Sequence, residues 1–418
     1  MSINPDRLWT RLNQIGSIGE DPRGGISRFA WTKEYKESAG LLISWMKLAG
    51  MSVRVDTVGN IYGRLEGSED LPAILTGSHL DTVPCGGKFD GIAGIMSALE
   101  AITSIKENKI SNKHPLEMIA FINEEASQFL GGHFGSKAIC GMLPDDYAKT
   151  CVDKNTGITM HEAMINYGMG LNPDNFPGSY IKKEDYYAFL ELHIEQGKYL
   201  LQKDFPIAVV SSIAGIKQFY ITLKGVSAHA GGMAMRDRHD CIAAAAEIAC
   251  EVERLALTTG SDTRGTVGYI SAHPGEHNII ADEAVIPVDI REEDDEIFEK
   301  IYIDLMKFVK KQCEKRGLTY SLRITLDTPP AHCHDNLIKL ISECANKSKV
   351  PFINMVSYPA HDAMQMARLL PMGMIFVRSS NDGVSHCPDE YTTKEDMTMA
   401  TQVLYNSLIE LSLRDILV

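Results

Sequence analysis

The sequence lacks the features that mark several protein classes. Its nine cysteines are scattered and never form C-x-x-C, and the amino terminus "MSINPDRLWTRLNQ" has no apolar signal-peptide core. No run approaches the ~18 apolar residues of a membrane helix. No basic tract occurs, and 41 basic against 55 acidic residues give a net charge of -14. We therefore expect a cytoplasmic protein with reduced thiols that binds neither membrane nor nucleic acid.

The length and composition are those of a globular chain with more than one domain. Hydrophobic residues make up 44% of the 418 residues, and charged residues make up 23%. Single hydrophobic cores usually stop growing near ~250–300 residues, so this chain is long enough for two.

Short apolar runs alternate with helical patterns in the first half of the chain and again near its end. This alternation indicates an α/β fold with buried, mostly parallel strands. The predicted strands are 72–78, 116–122, 187–193 and 372–378. The predicted helices are 29–49, 91–107, 336–348 and 394–413. We assign 1–211 and 329–418 to one discontinuous domain.

A different order of elements occupies residues 212–328. Strand-like and helix-like segments follow one another as β-α-β-β-α-β, with "KQFYITLKG" first and "TYSLRITL" last. This order is that of the split ferredoxin-like unit. The sequence therefore predicts an inserted α+β domain.

Polar residues cluster just after each predicted strand of the outer domain. His79, Asp81 and Asp90 follow the first strand, and the pair Glu124–Glu125 follows the second. The third strand ends at His193 before Glu195 and Gln196, and His386 follows the fourth. Ligands of open α/β sheets bind at the carboxyl ends of strands, so these clusters should converge on one crevice.

These residue types suit a transition metal or zinc. Imidazoles combined with carboxylates favour zinc, manganese, cobalt or nickel over calcium or magnesium. Asp90 lies on a glycine-rich loop and can bridge two cations ~3.5–4 Å apart. Asp81, two residues from His79, can accept the second imidazole N–H of that histidine and fix its tautomer.

The adjacent acids Glu124 and Glu125 require separate roles. Neighbouring side chains of an extended backbone point to opposite faces, so we expect one to be a metal ligand. The other can take a proton from the attacking water. Taken singly, a His-x-Asp pair, a Glu-Glu pair or a loop histidine has an ordinary structural explanation; their occurrence at four strand ends favours a shared site.

The segments "GSHLDTVPCGGKFDG", "NEEASQF", "ELHIEQG", "GVSAHAGG" and "GVSHCPDE" together resemble the M20 family of metallopeptidases. More narrowly, they resemble its amidase, hydantoinase and carbamoylase branch. This branch includes N-carbamoyl-L-amino acid hydrolases, β-ureidopropionases, allantoate amidohydrolases and ureidoglycolate amidohydrolases. The motifs span residues 79 to 390, in the order and at the spacing of the family.

The resemblance implies two divalent metal ions per subunit, zinc or manganese first and cobalt or nickel as other candidates. His79, Asp90 and His193 would hold one ion; Asp90, Glu125 and His386 would hold the other. Glu124 would be the general acid/base and Asp81 the residue that supports His79. The histidine of "ELHIEQG" resembles the ureido-amidase branch, whereas exopeptidases commonly have aspartate there, and Gln196 matches a substrate contact.

The resemblance also gives the inserted domain a function as a dimerisation and lid domain. His229 matches the histidine that stabilises the oxyanion, although it could also be an ordinary turn histidine. Asn278 and Arg291 match residues that bind the substrate carboxylate, reaching the site from a partner subunit. A homodimer built through 212–328 is therefore implied. Guanidinium forks suit carboxylates, and an imidazole can donate to developing negative charge.

Two segments depart from the family pattern. "HAGGMAM" replaces H-A-G-T-T-P-M, and "SYPAHDA" puts a tyrosine and a proline near His361. Both segments lie close to the expected substrate walls, so they bear on the choice of substrate and not on the reaction. His361 is either a packing residue or a wall of the substrate pocket.

We therefore expect a metal-dependent amidohydrolase that cleaves a linear C–N bond of a small ureido or carbamoyl acid and releases ammonia. The alternatives are an aminoacylase or dipeptidase of the same fold, and an inactive binding protein on this scaffold.

Overall fold

The computed structural model describes residues 2–129 and 131–414. The described chain divides into two compact units. The first comprises the chain up to Ser211, His332–Ser357, and the chain from His361 onward; the second comprises Ser212–Ala331 and Tyr358–Ala360. The second unit thus extends three residues beyond the expected end at 328 and takes in a short later segment.

The α-helices, in chain order, are α1 Pro5–Gly16, α2 Lys33–Leu48, α3 Ile92–Glu107, α4 Phe134–Ile139, α5 Tyr147–Thr150, α6 Met160–Tyr167, α7 Tyr199–Lys203, α8 Cys241–Thr258, α9 Asp295–Arg316, α10 Asp335–Lys347, α11 Asp362–Met366 and α12 Lys394–Ser412. Short 3₁₀ helices cover Phe176–Ser179, Lys183–Asp185, Met235–Asp237 and Asn381–Gly383.

The strands are β1 Ser52–Val55, β2 Ile61–Leu65, β3 Ala73–His79, β4 Leu116–Phe121, β5 Tyr186–Ile194, β6 Ile207–Ile213, β7 Gly215–Lys224, β8 Ala228–His229, β9 Arg264–Val267, β10 Ser271–His273, β11 Ile279–Ile280, β12 Glu283–Glu292, β13 Thr319–Thr328, β14 Ala331–His332, β15 Phe352–Ser357 and β16 Met372–Val377. The four strands predicted in the outer domain are confirmed to within one residue of their predicted ends.

The main sheet has the order β1-β2-β4-β3-β5-β16-β6-β14, and β15 pairs with β6. Its central strands β4, β3, β5 and β16 are parallel, whereas β2 and β6 flank them in antiparallel pairing. Every residue of β3, β4 and β16 is buried, which explains their continuous apolar sequences. The α/β class with a mostly parallel central sheet is confirmed.

Helices α3, α10 and α12 pack against the central strands, α2 packs against β1 and β2, and α1 packs on α3. Helix α3 is buried along nearly its whole length. The predicted helices 91–107, 336–348 and 394–413 are confirmed to within one residue. Helix α2 begins at Lys33 rather than at residue 29. The reason is that the Thr32 hydroxyl accepts a hydrogen bond from the Tyr35 N–H and caps the helix there.

The second unit has a sheet of order β10-β12-β7-β13, in which β9 also pairs with β12. Helices α8 and α9 pack on it around a core of Phe219, Ile221, Ile248 and Leu305. The element order β-α-β-β-α-β is as predicted, but the second strand is broken into β9 and β10. The break faces Pro287 of β12, which has no N–H to donate to a neighbouring strand.

Within the described residues, no helix is both long and apolar enough to cross a membrane.

Candidate active site

Four neighbouring strands carry the predicted site residues to one edge of the main sheet. His79 ends β3 and pairs in register with Phe121, the last residue of β4. His193 lies near the end of β5, opposite Phe376 of β16. Because these strands are parallel and adjacent, their carboxyl ends meet, and the loops that follow contribute the remaining side chains.

The first group of ligand atoms belongs to His79, Asp90 and His193, which lie within 4.8 Å of one another. Asp90 Oδ1 is 3.4 Å from Nε2 of His79 and 3.1 Å from Nε2 of His193. The Nδ1 atom of each histidine lies by a backbone carbonyl oxygen, that of Asp81 at 3.0 Å and that of Ile194 at 2.9 Å. Each carbonyl can accept the Nδ1–H, and both Nε2 atoms face Asp90 Oδ1.

The second group belongs to Asp90, Glu125 and His386. Nε2 of His386 is 3.2 Å from Asp90 Oδ2 and 3.5 Å from Glu125 Oε1. Asp90 therefore has one carboxylate oxygen in each group. Three imidazoles outweigh the effect of its burial and hold the pKa of Asp90 well below its usual value.

A glycine makes the approach of Asp90 to His79 sterically feasible. Gly91 has φ +66, and a Cβ placed on it would lie 2.3 Å from the carbonyl oxygen of His79 and 2.6 Å from its ring. Only glycine combines this backbone conformation with so close a contact. Gly91 thus allows the close approach that the sequence predicted for the glycines around Asp90.

Asp81 supports the site differently from the prediction. Its carboxylate oxygen is 4.0 Å from Nδ1 of His79, and its backbone carbonyl takes the hydrogen bond instead. The carboxylate accepts the backbone N–H groups of Glu124 and Glu125, both at 3.1 Å. Asp81 therefore connects the loop after β3 to the loop after β4. Its carboxylate is not bonded to the His79 ring, because Nδ1 of that ring already lies by the backbone carbonyl of Asp81.

We expected Glu124 and Glu125 to point to opposite faces, but the structure shows that they do not. One oxygen of Glu124 and one of Glu125 lie within 4.8 Å of each other and of a ring nitrogen of His79. The backbone is not extended here, since Asn123 and Ala126 have φ of 54° and 52°. Burial and the charges of Asp90 and Glu124 raise the pKa of Glu125 well above its usual value.

Sequence reasoning missed His133, whose Nε2 lies 3.0 Å from Glu124 Oε1. Its backbone N–H donates to the carbonyl oxygen of Glu124 at 2.8 Å, so the chain returns here to the β4 loop. Burial would raise the pKa of Glu124, but the imidazoles of His133 and His79 outweigh it and lower that pKa to about 2. The preceding Gly131-Gly132 pair indicates a loop, and no motif marks the histidine.

We predict that His133→Leu lowers kcat by about tenfold, because Glu124, the expected proton-transfer group, loses the imidazole that orients its carboxylate. Metal content should stay unchanged, since His133 is in neither ligand group. Steady-state kinetics and elemental analysis test this prediction together. A kcat equal to that of the wild type would show that the contact has no catalytic consequence.

Gln196 contacts the proposed ligands directly. Its Nε2 donates to Asp90 Oδ2 at 3.1 Å and lies 3.2 Å from Nε2 of His386. Gln196 follows the end of β5 by two residues and has a φ of 56°. The role of Gln196 in substrate binding remains a prediction.

His361 is 2% exposed, and its ring centroid lies 4.4 Å from that of His193. Its Nε2 is 3.0 Å from the Ser357 hydroxyl. Burial and the neighbouring His193 hold the pKa of His361 well below its usual value. His361 therefore packs as a neutral ring behind a proposed ligand, which is the packing alternative; its role as a substrate wall remains a prediction.

The residues predicted to bind substrate from the inserted domain lie in the second unit. His229 and Asn278 are exposed and lie on adjoining segments, because β8 pairs with β11 and the Asn278 carbonyl accepts the Ala230 N–H at 2.9 Å. The Arg291 guanidinium contacts both carboxylate oxygens of Asp289, at 3.0 and 3.3 Å, and donates to the Tyr358 carbonyl. Its orientation is thus fixed within the unit.

The residues at the sheet edge fit divalent metal ions. The Nε2 atoms of His79 and His193 are 3.4 Å apart, an arrangement that a shared cation stabilises. Asp90 Oδ1 and Glu125 Oε1 are buried without a hydrogen-bond partner. Imidazoles and carboxylates are the ligands that zinc and its transition-metal neighbours prefer.

The chain belongs to peptidase family M20/M25/M40, whose family model matches residues 75–410. It is 38% identical to an N-carbamoyl-L-amino-acid amidohydrolase of Pseudomonas sp. strain NS671, over 98% of this chain and 99% of that protein. It is 34% identical to the ureidoglycolate hydrolase of Oryza sativa subsp. japonica, over 99% of this chain and 86% of that protein.

The fold is similar to a crystal structure of an amidase of the hydantoinase/carbamoylase family from Burkholderia multivorans. The TM-score is 0.89 at 31% identity, with 99% of each chain covered. The expected resemblance to the M20 family and its amidase branch is confirmed.

Proposed function

We propose that the protein is a metal-dependent amidohydrolase that cleaves a linear C–N bond of an N-carbamoyl or ureido acid and releases ammonia. The observation that carries the proposal is the Asp90 carboxylate, whose two oxygens lie in two separate groups of ligand atoms. The full-length similarity to amidohydrolases of this branch supports it. The substrate is a small molecule with a carboxylate beside the carbamoyl group.

The cofactors are two divalent ions per subunit, zinc or manganese, with cobalt and nickel as the alternatives. His79, Asp90 and His193 would hold one ion, and Asp90, Glu125 and His386 would hold the other. When bound, such ions would polarise the scissile carbonyl and lower the pKa of bound water to near ~7. The facing Nε2 atoms and the unpaired carboxylate oxygens support this assignment.

Glu124 is the proton-transfer group of the mechanism. Its carboxylate, oriented by His133 and kept ionised by the surrounding imidazoles, takes a proton from the attacking water. As the carbon–nitrogen bond breaks, Glu124 gives that proton to the leaving nitrogen. With an N-carbamoyl amino acid, the final products are the amino acid, ammonia and carbon dioxide.

The second unit supplies the substrate-binding groups in this proposal, as an inserted ferredoxin-like domain that dimerises and closes as a lid. His229 stabilises the oxyanion, and Asn278 and Arg291 bind the substrate carboxylate from the partner subunit of a homodimer. Closure would exclude water from the reacting groups. The cytoplasmic location and the absence of nucleic-acid binding, inferred from composition, remain predictions.

We predict that Arg291→Lys raises KM by about 10–100-fold with a smaller change in kcat, because lysine lacks the planar fork that binds a carboxylate. The matched control is Arg254→Lys, an exposed arginine of α8 paired with Glu251. Kinetics on a carboxylate-bearing substrate test the prediction. An unchanged KM would remove Arg291 from the substrate site.

The substrate class is tested by ammonia release from a panel with added Mn²⁺ or Zn²⁺. The panel contains allantoate, ureidoglycolate, N-carbamoyl-β-alanine and several N-carbamoyl-L-amino acids, with N-acetyl amino acids and dipeptides as comparison substrates. We expect turnover of at least one ureido or carbamoyl acid. Cleavage of only acetyl or peptide bonds would support the aminoacylase or dipeptidase alternative.

A further inference from the structure

Glu390 is a buried carboxylate at the site that belongs to neither group of proposed ligands. It is 4% exposed, and its two oxygens contact two different chain segments. Oε1 accepts the backbone N–H groups of Phe89 and Asp90, both at 3.0 Å. Oε2 accepts the Ser385 hydroxyl at 2.6 Å and lies 3.4 Å from the backbone nitrogen of His386.

The chain leaves space for this carboxylate at Gly87. A Cβ at Gly87 would lie 2.1 Å from Oε1 of Glu390 and 2.2 Å from its carboxyl carbon. The backbone of Gly87 has no positive φ, and the three atoms nearest to such a Cβ all belong to Glu390. A substitution at this position should therefore displace the carboxylate of Glu390, and Gly87 is itself not a proposed ligand.

We propose that Glu390 is a positioning residue that holds the Asp90 loop and the His386 loop at the separation required by the second metal position. The two segments come from opposite ends of the chain, after β3 and after β16. Glu390 is the group that hydrogen-bonds the backbone of both, and the resulting separation of Asp90 Oδ2 and His386 Nε2 is 3.2 Å. The first position should depend on it less, because β3 and β5 hold His79 and His193 directly.

The proposal rests on the proposed function, since it concerns the affinity of one of the two metal positions. Groups that orient metal ligands typically contribute 10–100-fold to metal affinity. Glu390→Gln tests this selectively. The glutamine Oε1 can still accept from the backbone N–H groups of Phe89 and Asp90, but its NH₂ donor would face the N–H of His386 and repel it.

The experiment is a titration of the metal-free proteins with Mn²⁺ and with Zn²⁺ by calorimetry and equilibrium dialysis. The wild type and the control Glu395→Gln, an exposed acid at the start of α12, should bind two equivalents. In Glu390→Gln and Gly87→Ala, the affinity for one of the two metal equivalents should fall about 10–100-fold. The metal-free forms should unfold at the wild-type temperature. Ser385→Ala, which removes only the hydroxyl donor, should lower the affinity for the same equivalent by a smaller factor than Glu390→Gln does.

Combining Glu390→Gln with His386→Ala shows which of the two metal positions is affected. His386→Ala should retain only the position of His79, Asp90 and His193, and adding Glu390→Gln should change its affinity by no more than about twofold. An equal loss at both positions would overturn the selective role. Two wild-type-like equivalents in Glu390→Gln, Gly87→Ala and Ser385→Ala would overturn the positioning role while leaving the proposed function intact. Failure of the wild type to bind two equivalents would overturn the proposed function itself.

Discussion

Glu124→Gln should lower kcat by about 10²–10⁴-fold, the usual contribution of a general acid–base group. Glutamine keeps the shape of the side chain but cannot accept the proton of the attacking water. Metal content should remain at the wild-type level, because the two groups built on Asp90 do not use Glu124. Kinetics on the best substrate of the panel and elemental analysis of the same preparation measure both effects.

The matched control for this substitution is Glu395→Gln, which removes the same charge from an exposed position of α12. It should keep wild-type kcat and KM. Substantial residual activity in Glu124→Gln, with metal retained, would move the proton-transfer role to another group. Loss of metal along with activity would instead make Glu124 a ligand, as the group of His79, Glu124 and Glu125 permits geometrically.

Asp90→Asn should weaken both metal equivalents by at least about 100-fold and abolish turnover, because a ligand contributes more than a group that only orients one. Each carboxylate oxygen contacts a different group, so losing its charge affects both positions. His386→Ala, in contrast, should weaken one equivalent only. Metal titration distinguishes the two variants by stoichiometry.

Asp382→Asn is the control for Asp90→Asn, since its side chain is 80% exposed in the loop that carries His386. It should bind two equivalents. If Asp90→Asn lost only one equivalent, Asp90 would be an ordinary ligand of one ion and not a bridge. The account of the site would then need a different shared group.

The convergence of the site was predictable because it follows from two local signals. Fully buried parallel strands give continuous apolar runs, and acids or histidines directly after such runs must lie at the same sheet edge. His79 at the end of β3, His193 near the end of β5 and His386 after β16 all follow this rule. The glycines around Asp90 were also interpretable, because Gly91 has the backbone conformation and the close contact that exclude a side chain.

The remaining features depend on loop conformation, which has no periodicity in the sequence. Glu124 and Glu125 were expected on opposite faces, but positive φ at Asn123 and Ala126 turns both toward His79. The hydrogen bond of His79 goes to the carbonyl of Asp81 and not to its carboxylate. His133 lies nine positions after Glu124 along the chain, and no spacing rule predicts its contact with that side chain.

The break between β9 and β10 was partly predictable from the sequence. Pro287 is visible in "EAVIPVDIR", and a proline inside a strand interrupts the ladder with its neighbour. The interruption, however, occurs in the strand that pairs with β12. Which strands pair cannot be predicted from the sequence of either strand alone. Long-range pairing of this kind is what the structure adds to the sequence.

The most direct test of the central claim is a titration of metal-free protein with Mn²⁺ or Zn²⁺ while ammonia release from an N-carbamoyl or ureido acid is followed. The account predicts no turnover without metal and a rate that reaches its maximum when two equivalents are bound. Full activity of the metal-free protein, or no ammonia from any panel substrate at two bound equivalents, would contradict it.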